Sequence, residues 1–197
     1  MKPHSTKDPE AGAFTLIEMI GVLAVIAILV ALLIPKVFST INDARINSTI
    51  LGIQTIKSAS ADHYGKYGNI ASLFGTNNLA IPIQDYCTNV LLPETLIEKT
   101  FSSKLGTNAV INVVAGNPTV GGSGGYTLDG SGANTTSNAT AVIQAVIYGV
   151  AAQDAKDLND RLDGPALGTP LGATDAQGRV QYASPFPTTV YVYISSR

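Results

Sequence analysis

A long apolar run near the N-terminus dominates the hydrophobic pattern of this chain. From Phe14 to Ile34 the sequence contains one charged residue, Glu18, among apolar or small side chains. At about 1.5 Å per residue, a helix of this length spans about 31 Å, which matches the hydrocarbon core of a bilayer. A buried helix of a soluble protein rarely stays apolar on every face over such a distance. The run therefore predicts a membrane-spanning helix.

Beyond this run the helical period continues, but the pattern becomes amphipathic. Apolar residues recur at spacings of three and four in two stripes, one of Val37, Ile41 and Ala44 and one of Ile46, Ile50, Ile53 and Ile56. These spacings predict a helix that continues to about His63, where the sequence GKYGN beginning at Gly65 ends it. Pro35 lies inside this helix and predicts a kink or a locally opened turn rather than a break.

From about Tyr67 the composition changes to shorter patterns that are typical of strands and loops. Strands are predicted at 108–115, 140–148, 180–183 and 188–194, helices within 93–104 and 149–162, and a long exposed loop at 116–138. In the last strand, Val190, Val192 and Ile194 alternate with tyrosines, as expected for one buried face. The order of elements predicts an α+β fold in which an antiparallel sheet packs on the second half of the long helix.

Composition excludes several classes of function. Charged residues make up 13% of the 197 residues and the net charge is −2, so nucleic acid is not expected as the main partner. Cys87 is the single cysteine, so no intrachain disulfide can form. A zinc site or redox pair at Cys87 is not expected, because no second cysteine or neighbouring histidine is available.

The remaining polar residues do not suggest catalysis. His63 is expected at the surface near a helix end, where a lone histidine is usually neither a base nor a ligand. Four acidic residues recur every three positions in the predicted helix at 149–162 and just after it: Asp154, Asp157, Asp160 and Asp163. Their helical spacing favours a solvated face over a calcium loop, which needs oxygens aimed inward from turns. We therefore expect no catalytic residues, no metal site and no cofactor.

The residues at the start of the apolar run resemble a known processing signal. The sequence Ala13-Phe14-Thr15-Leu16-Ile17-Glu18-Met19 is similar to the cleavage site of type IV prepilins and their pseudopilin relatives. The resemblance implies cleavage between Ala13 and Phe14 and N-methylation of Phe14. It then places Glu18 fifth and Pro35 twenty-second in the mature chain, two landmarks of the family in one frame. The chain departs from the family in having Ala13, where glycine is usual, although Gly12 precedes it.

The resemblance covers Gly12 to about Tyr64 and implies an organisation for the whole chain. Residues 1–13 would be a leader that is removed, and 14–35 a hydrophobic helix that spans the membrane and later lies in the filament core. Residues 36–65 would be the amphipathic continuation of that helix and 66–197 a globular α+β domain. The mature chain would then have the shape of a lollipop. The implied function is a structural subunit of a type IV pilus, or alternatively a pseudopilin of a type II secretion system or a minor pilin. The implied partners are further copies in a helical filament, a prepilin peptidase, and the assembly platform and ATPase. The precursor would lie in the bacterial inner membrane, and the product in a cell-surface filament or a periplasmic pseudopilus.

Glu18 is the residue that the resemblance makes most important. An α-amino group at Phe14 would lie one helical turn from Glu18 and could pair with it, or with Glu18 of an adjacent helix. The resemblance implies the second arrangement, in which Glu18 draws an incoming subunit into register. The alternative is a juxtamembrane glutamate that reaches toward the lipid headgroups. That alternative suits a single-pass anchored binding domain that does not polymerise, whereas an envelope enzyme would need a catalytic cluster that the sequence does not show.

Overall fold

The computed structural model describes residues 15–75, 77–116, 119–120, 123–130, 135–136 and 139–197. The chain forms two compact units, a first that ends at Ile41 and a second that comprises Asn42–Arg197, hereafter the C-terminal unit. The elements in chain order are α1 (Leu16–Tyr67), β1 (Ser72–Leu73), β2 (Asn77–Asn78), a π-helical turn (Cys87–Leu91), β3 (Asn108–Ala115), β4 (Thr119–Val120), β5 (Ser123–Gly124), β6 (Ala141–Val150), α2 (Ala152–Leu162), β7 (Val180–Tyr182) and β8 (Thr188–Ser196).

Helix α1 begins at Leu16 and ends at Tyr67, four residues beyond the predicted end. Gly68 ends it with a left-handed conformation (φ +69°), and its N–H donates to the Tyr64 carbonyl at 2.7 Å. A glycine in this conformation is a common helix terminator, because other residues pay a steric cost there. In the part of the chain that is described, α1 is the one helix long and apolar enough to cross a membrane, so the chain has a long apolar N-terminal helix that could anchor it there.

The C-terminal unit is built on a four-stranded antiparallel sheet with the order β3–β6–β8–β7. The predicted strand at 108–115 is confirmed with the same bounds, and the three other predicted strands are confirmed to within two residues. Strand β6 pairs with β3 along its whole length, Asn108 opposite Tyr148 and Ala115 opposite Ala141. The predicted α+β class and antiparallel sheet are therefore confirmed.

The hydrophobic core of the C-terminal unit combines α1 side chains with one face of the sheet. The second of the two predicted apolar stripes is confirmed, since Ile46, Ile53 and Ile56 are buried and Ile50 packs against this core. From the sheet the core receives alternate residues of β6 and β8, which are Ile143, Ala145, Ile147, Val190, Val192 and Ile194. The alternation in β8 thus places its valines and isoleucine inward, as a strand with one buried face requires.

Both edge strands of this sheet pair with other parts of the chain at particular positions. At the β3 edge, Val113 exchanges two backbone hydrogen bonds with Ile83, at 2.8 and 2.9 Å. At the β7 edge, Tyr182 does the same with Asp175, while the Val180 N–H donates to the Asp163 carboxylate at 2.8 Å. Backbone groups that an edge strand would leave open are therefore already paired at these positions.

The predicted helix within 93–104 is wrong. The chain forms a π-helical turn before this segment, at Cys87–Leu91. Within the segment, Thr95 has a positive φ of 57°, which is incompatible with the interior of a right-handed helix. Ile97 and Phe101 have helical spacing, but they enter the core from an irregular segment. The prediction rested on Pro93 and Glu94 as residues suited to a first helical turn, but Glu94 is instead buried.

The prediction of a long exposed loop at 116–138 is wrong in its central part. Tyr126 is fully buried, and its hydroxyl donates to Gln144 Oε1 at 2.8 Å on strand β6. Its backbone N–H donates to the buried Thr136 hydroxyl at 2.9 Å. Tyr126 therefore covers part of the second face of the sheet. Tyrosine suits this position, because it combines a large apolar ring with a hydroxyl that can satisfy a buried amide.

Candidate functional site

The candidate processing residues lie at the start of the chain. Ala13 and Phe14 fall outside the described residues, so cleavage between them and methylation of Phe14 stay predictions. Thr15 is the first residue that the structure describes, and it directly precedes the first residue of α1. Glu18 and Pro35 both lie within α1.

Glu18 is held in the first turn of α1 by a reciprocal pair of hydrogen bonds with Thr15. The Thr15 N–H and hydroxyl both donate to Glu18 Oε2, each at 2.8 Å, and the Glu18 N–H donates to the Thr15 hydroxyl at 3.3 Å. This arrangement is a capping box, in which the residue before the helix and the third helical residue satisfy each other's backbone donors. The signal was present in the sequence as Thr15-x-x-Glu18 but was not used in the prediction.

The capping box leaves part of the Glu18 carboxylate available. Among the described residues, Thr15 is the one hydrogen-bond donor to Glu18, and it uses Oε2. Oε1 is therefore free to accept a hydrogen bond from a further cation or donor. An ionised carboxylate in an apolar segment needs such a partner, because it is costly to bury alone. The geometry thus fits a carboxylate that is fixed in direction but not fully satisfied.

The apolar side chains of the first unit are uncovered. Its large hydrophobic residues from Leu16 to Ile41 are between 44% and 78% exposed. Monomeric soluble proteins rarely leave an apolar surface of this extent open to water. This segment therefore requires lipid or other apolar chains around it.

Pro35 lies within α1, and the helix is continuous on both sides of it. Proline has no N–H, so the carbonyl of Ala31 loses its usual helical partner. Downstream, the hydroxyls of Ser39 and Thr40 both donate to the Lys36 carbonyl at 2.9 Å. The expected absence of a helix break is confirmed, whereas the kink stays a prediction.

The expectation that His63 lies at the surface is wrong. Its side chain is fully buried, and Nδ1 lies 2.6 Å from Oε2 of Glu94, which is also fully buried. The other Glu94 oxygen, Oε1, accepts the Phe74 N–H at 2.6 Å. The sequence contained a signal for this burial, because His63 follows Ile56 and Ser60 at the spacing of the buried face of α1.

The His63–Glu94 pair connects the end of α1 to two irregular segments. Phe74 and Thr95 both have positive φ angles, +52° and +57°, and they flank the pair from the two segments. The aromatic rings of Tyr67 and Tyr86 pack around His63, with ring centroids at 5.0 and 6.2 Å. A buried pair that is enclosed by aromatic rings in this way fixes the local structure around it.

Cys87 is a free cysteine that is buried in the core of the C-terminal unit. Burial raises the pKa of its thiol to about 11, against a smaller opposing effect of the Phe101 N–H. The thiol is therefore protonated at neutral pH. Because the thiolate is the reactive form of cysteine, this residue is poorly suited to nucleophilic or metal chemistry.

The acidic run at 154–163 does not form one solvated face. Asp157 and Asp160 are half-exposed and bind Asn42 and Lys156, respectively. Asp163 differs, because its side chain is 2% exposed and its Oδ2 accepts the backbone N–H groups of Arg179 and Val180, each at 2.8 Å. The solvated-face interpretation is therefore wrong for Asp163, which ties the end of α2 to strand β7.

No group of three or more His, Cys, Asp or Glu side chains is placed to hold a metal among the described residues.

Comparison with known proteins adds no relative. No protein-family model, no curated protein and no solved structure matches the chain significantly.

Proposed function

We propose that this chain is a prepilin-type structural subunit that polymerises through its N-terminal helix into a type IV pilus filament. The observation that supports the proposal most is the start of α1, where a capped but incompletely satisfied Glu18 begins an uncovered apolar helix. An apolar helix with one carboxylate at its N-terminal end suits association with identical helices, each bringing an amine to the next carboxylate.

The proposal assigns a role to each residue of the start of the chain. A prepilin peptidase cleaves between Ala13 and Phe14, and the new α-amino group of Phe14 is methylated. Glu18 of one subunit then binds that amino group of another while both helices are still in the inner membrane. The Glu18 carboxylate and the Phe14 amino group are both costly to hold in lipid as unpaired charges. Their pairing therefore favours the one alignment of the two helices in which they meet.

In this proposal the second half of α1 and the sheet form the outer part of a lollipop-shaped subunit. Its support lies in the burial of Ile46, Ile53 and Ile56 within the core of the C-terminal unit. The assembly platform and its ATPase would extract the subunit from the inner membrane and add it to a filament at the cell surface.

The experiment that tests the proposal is the intact mass and N-terminal sequence of the protein in sheared surface filaments. A chain that begins with N-methylated Phe14 and is abundant in that fraction is the expected result. The same terminus confined to the cell envelope would exclude a surface pilus. A chain that still begins at Met1 would overturn the processing mechanism and leave Glu18 as an ordinary juxtamembrane charge.

A further inference from the structure

A small cleft in the C-terminal unit carries two positive side chains. The cleft has a volume of about 120 Å³ and lies between α1, the end of α2 and strand β8. Lys57, Arg179 and Gln54 supply its polar lining, and apolar residues such as Ile50 and Leu162 supply the rest. None of its lining residues is acidic. Since the whole chain has a net charge of −2, this positive excess is local.

The two cations are not fully neutralised within the chain. The Lys57 ammonium has no hydrogen-bond or ion-pair partner among the described residues. The Arg179 guanidinium donates to the Leu162 carbonyl at 3.1 Å, and its Nε lies 3.5 Å from Oδ1 of Asp163. That carboxylate also accepts two backbone N–H groups. The cleft therefore has capacity to bind a further carboxylate.

The C-terminal unit also exposes acidic side chains that lack a partner. Most of its described carboxylates are buried or bound to other side chains. Two exposed carboxylates, those of Glu98 and Asp62, have neither an ion pair nor a hydrogen bond among the described residues. Glu98 lies in the irregular segment that borders a larger groove of about 600 Å³ on α1. Asp62 lies on the helix itself and has the shorter side chain.

Glu98 and the cleft lie on opposite flanks of α1. The groove beside Glu98 is lined by Leu51 and Thr55, whereas the cleft is lined by Ile50 and Lys57. At 3.6 residues per turn, the helical residues that line the groove and those that line the cleft point to opposite sides of the helix. When two different surfaces of identical molecules join head to tail, the contact is heterologous, and it forms a ring if the rotation closes and an open helical filament if it does not.

We propose that the cleft containing Lys57 and Arg179 receives the Glu98 carboxylate of a second copy of this chain. This inference rests on the proposed function, because a repeating heterologous contact requires a polymer. The incoming carboxylate lies between the ammonium of Lys57 and the guanidinium of Arg179, and the Gln54 amide donates to it. Ile50 and Leu162 line the cleft beside these polar groups, so the contact would combine an ion pair with apolar packing.

A charge swap in the full-length chain tests this contact. The measurement is the amount of sheared filament relative to the amount of mature subunit in the membrane. Lys57→Glu and Glu98→Lys each place like charges together, so each is expected to lower this ratio by about tenfold or more. The double variant Lys57→Glu/Glu98→Lys restores opposite charges and is expected to return the ratio to within about threefold of the unmodified chain.

Two control variants separate this contact from general effects of charge. Lys104→Glu changes the net charge by the same amount as Lys57→Glu at another exposed lysine, and Asp62→Lys reverses the other free carboxylate. Both are expected to leave the filament ratio unchanged. Circular dichroism of the purified full-length variants identifies any that fail to fold.

Chemical cross-linking gives a second measurement that needs no variant. A carbodiimide joins an amine to a carboxylate in direct contact, with loss of water, and is expected to give a covalent dimer that contains the Lys57–Glu98 linked peptide. Unaffected single variants, a double variant no better than either single one, or a dimer linked elsewhere would overturn the inference while leaving the proposed filament intact. Failure of the unmodified chain to form any filament would instead overturn the proposed function, and this inference with it.

Discussion

The aromatic ring of Phe101 packs directly against the backbone of Gly52, in the middle of α1. A Cβ atom at position 52 would lie 3.1 Å from Cε2 and 3.2 Å from Cδ2 of the ring, closer than carbon atoms normally pack. Glycine in a helix interior costs about 1 kcal/mol relative to alanine. The close approach of the ring, which is buried at the edge of the core, accounts for a glycine at this position.

The variant Gly52→Ala is expected to lower the free energy of unfolding by about 1 kcal/mol, because the clash with Phe101 exceeds the gain in helix propensity. In a Phe101→Val background the clash is absent, and the same substitution is expected to raise the free energy of unfolding by about 0.5 to 1 kcal/mol. Urea unfolding of the purified full-length chain in detergent measures both values. A change of the same sign in both backgrounds would contradict the packing argument.

Loss of the Glu94 carboxylate is expected to destabilise the C-terminal unit strongly. Glu94→Ala leaves the His63 imidazole and the Phe74 N–H buried without partners, at an expected cost of about 3 kcal/mol. Glu94→Gln retains an acceptor and a donor and is expected to cost about 1 kcal/mol. The double variant His63→Leu/Glu94→Met removes both polar groups of the pair and should cost less than Glu94→Ala. Equal costs for the alanine and glutamine variants would show that the pair does not hold these segments together.

Asp163 is expected to make stability depend on pH. Burial raises the pKa of its carboxyl group, against smaller opposing effects of the Val180 and Arg179 N–H groups and the Arg179 guanidinium. A carboxyl whose pKa is higher in the folded state contributes stability that is complete below the unfolded value of about 3.9 and is lost as the pH rises through the folded value.

Asp163→Asn retains an oxygen for the two backbone donors and removes the titration. The dependence of the urea midpoint on pH should therefore become flatter above about pH 4 than in the unmodified chain. Asp160→Asn, at a half-exposed carboxylate, serves as the control. An unchanged pH profile for Asp163→Asn would contradict the role of burial.

Thr15 and Glu18 allow the capping role of the carboxylate to be separated from its proposed role in assembly. Thr15→Ala removes the side chain of the capping box and is expected to cost the helix about 1 kcal/mol, with less than about a threefold effect on filament yield. Glu18→Ala is expected to lower filament yield by about tenfold or more, while the amount of subunit in the membrane stays the same or rises. Filament yield and membrane-bound subunit are both measured by immunoblotting. Equal losses for the two variants would indicate that Glu18 acts only as a cap.

The parts of the fold that were predictable from sequence are those in which local pattern and burial agree. Strand β3 was predicted with its observed bounds because its β-branched run lies between turn residues. The isoleucine stripe of α1 was predicted because its spacing of three and four residues matches the helix face that is buried in the core of the C-terminal unit. The helix that begins at Leu16 was predictable from the length and composition of its apolar run, without knowledge of tertiary contacts.

The parts that were mispredicted depend on contacts between distant positions. His63 is buried because Glu94, thirty-one residues later, pairs with it. Tyr126 is buried because Gln144 on the neighbouring sheet accepts its hydroxyl. Asp163 is buried because strand β7 supplies two N–H donors. A single sequence shows the residues of such pairs but not which of them meet. For His63 the helical spacing did indicate a buried face, but only the structure identifies its partner.

In the filament proposed above, the backbone pairing at both edges of the sheet has a consequence for contacts between neighbouring copies. Crowded β-domains with open edges tend toward irreversible, amyloid-like growth, because each added strand creates a new template. At Val113 and Tyr182 those backbone groups are already used within the chain. Neighbouring copies would then meet through side chains alone at these positions. Assembly of the proposed filament would therefore not proceed by addition of strands at these positions, and each subunit would keep its own fold.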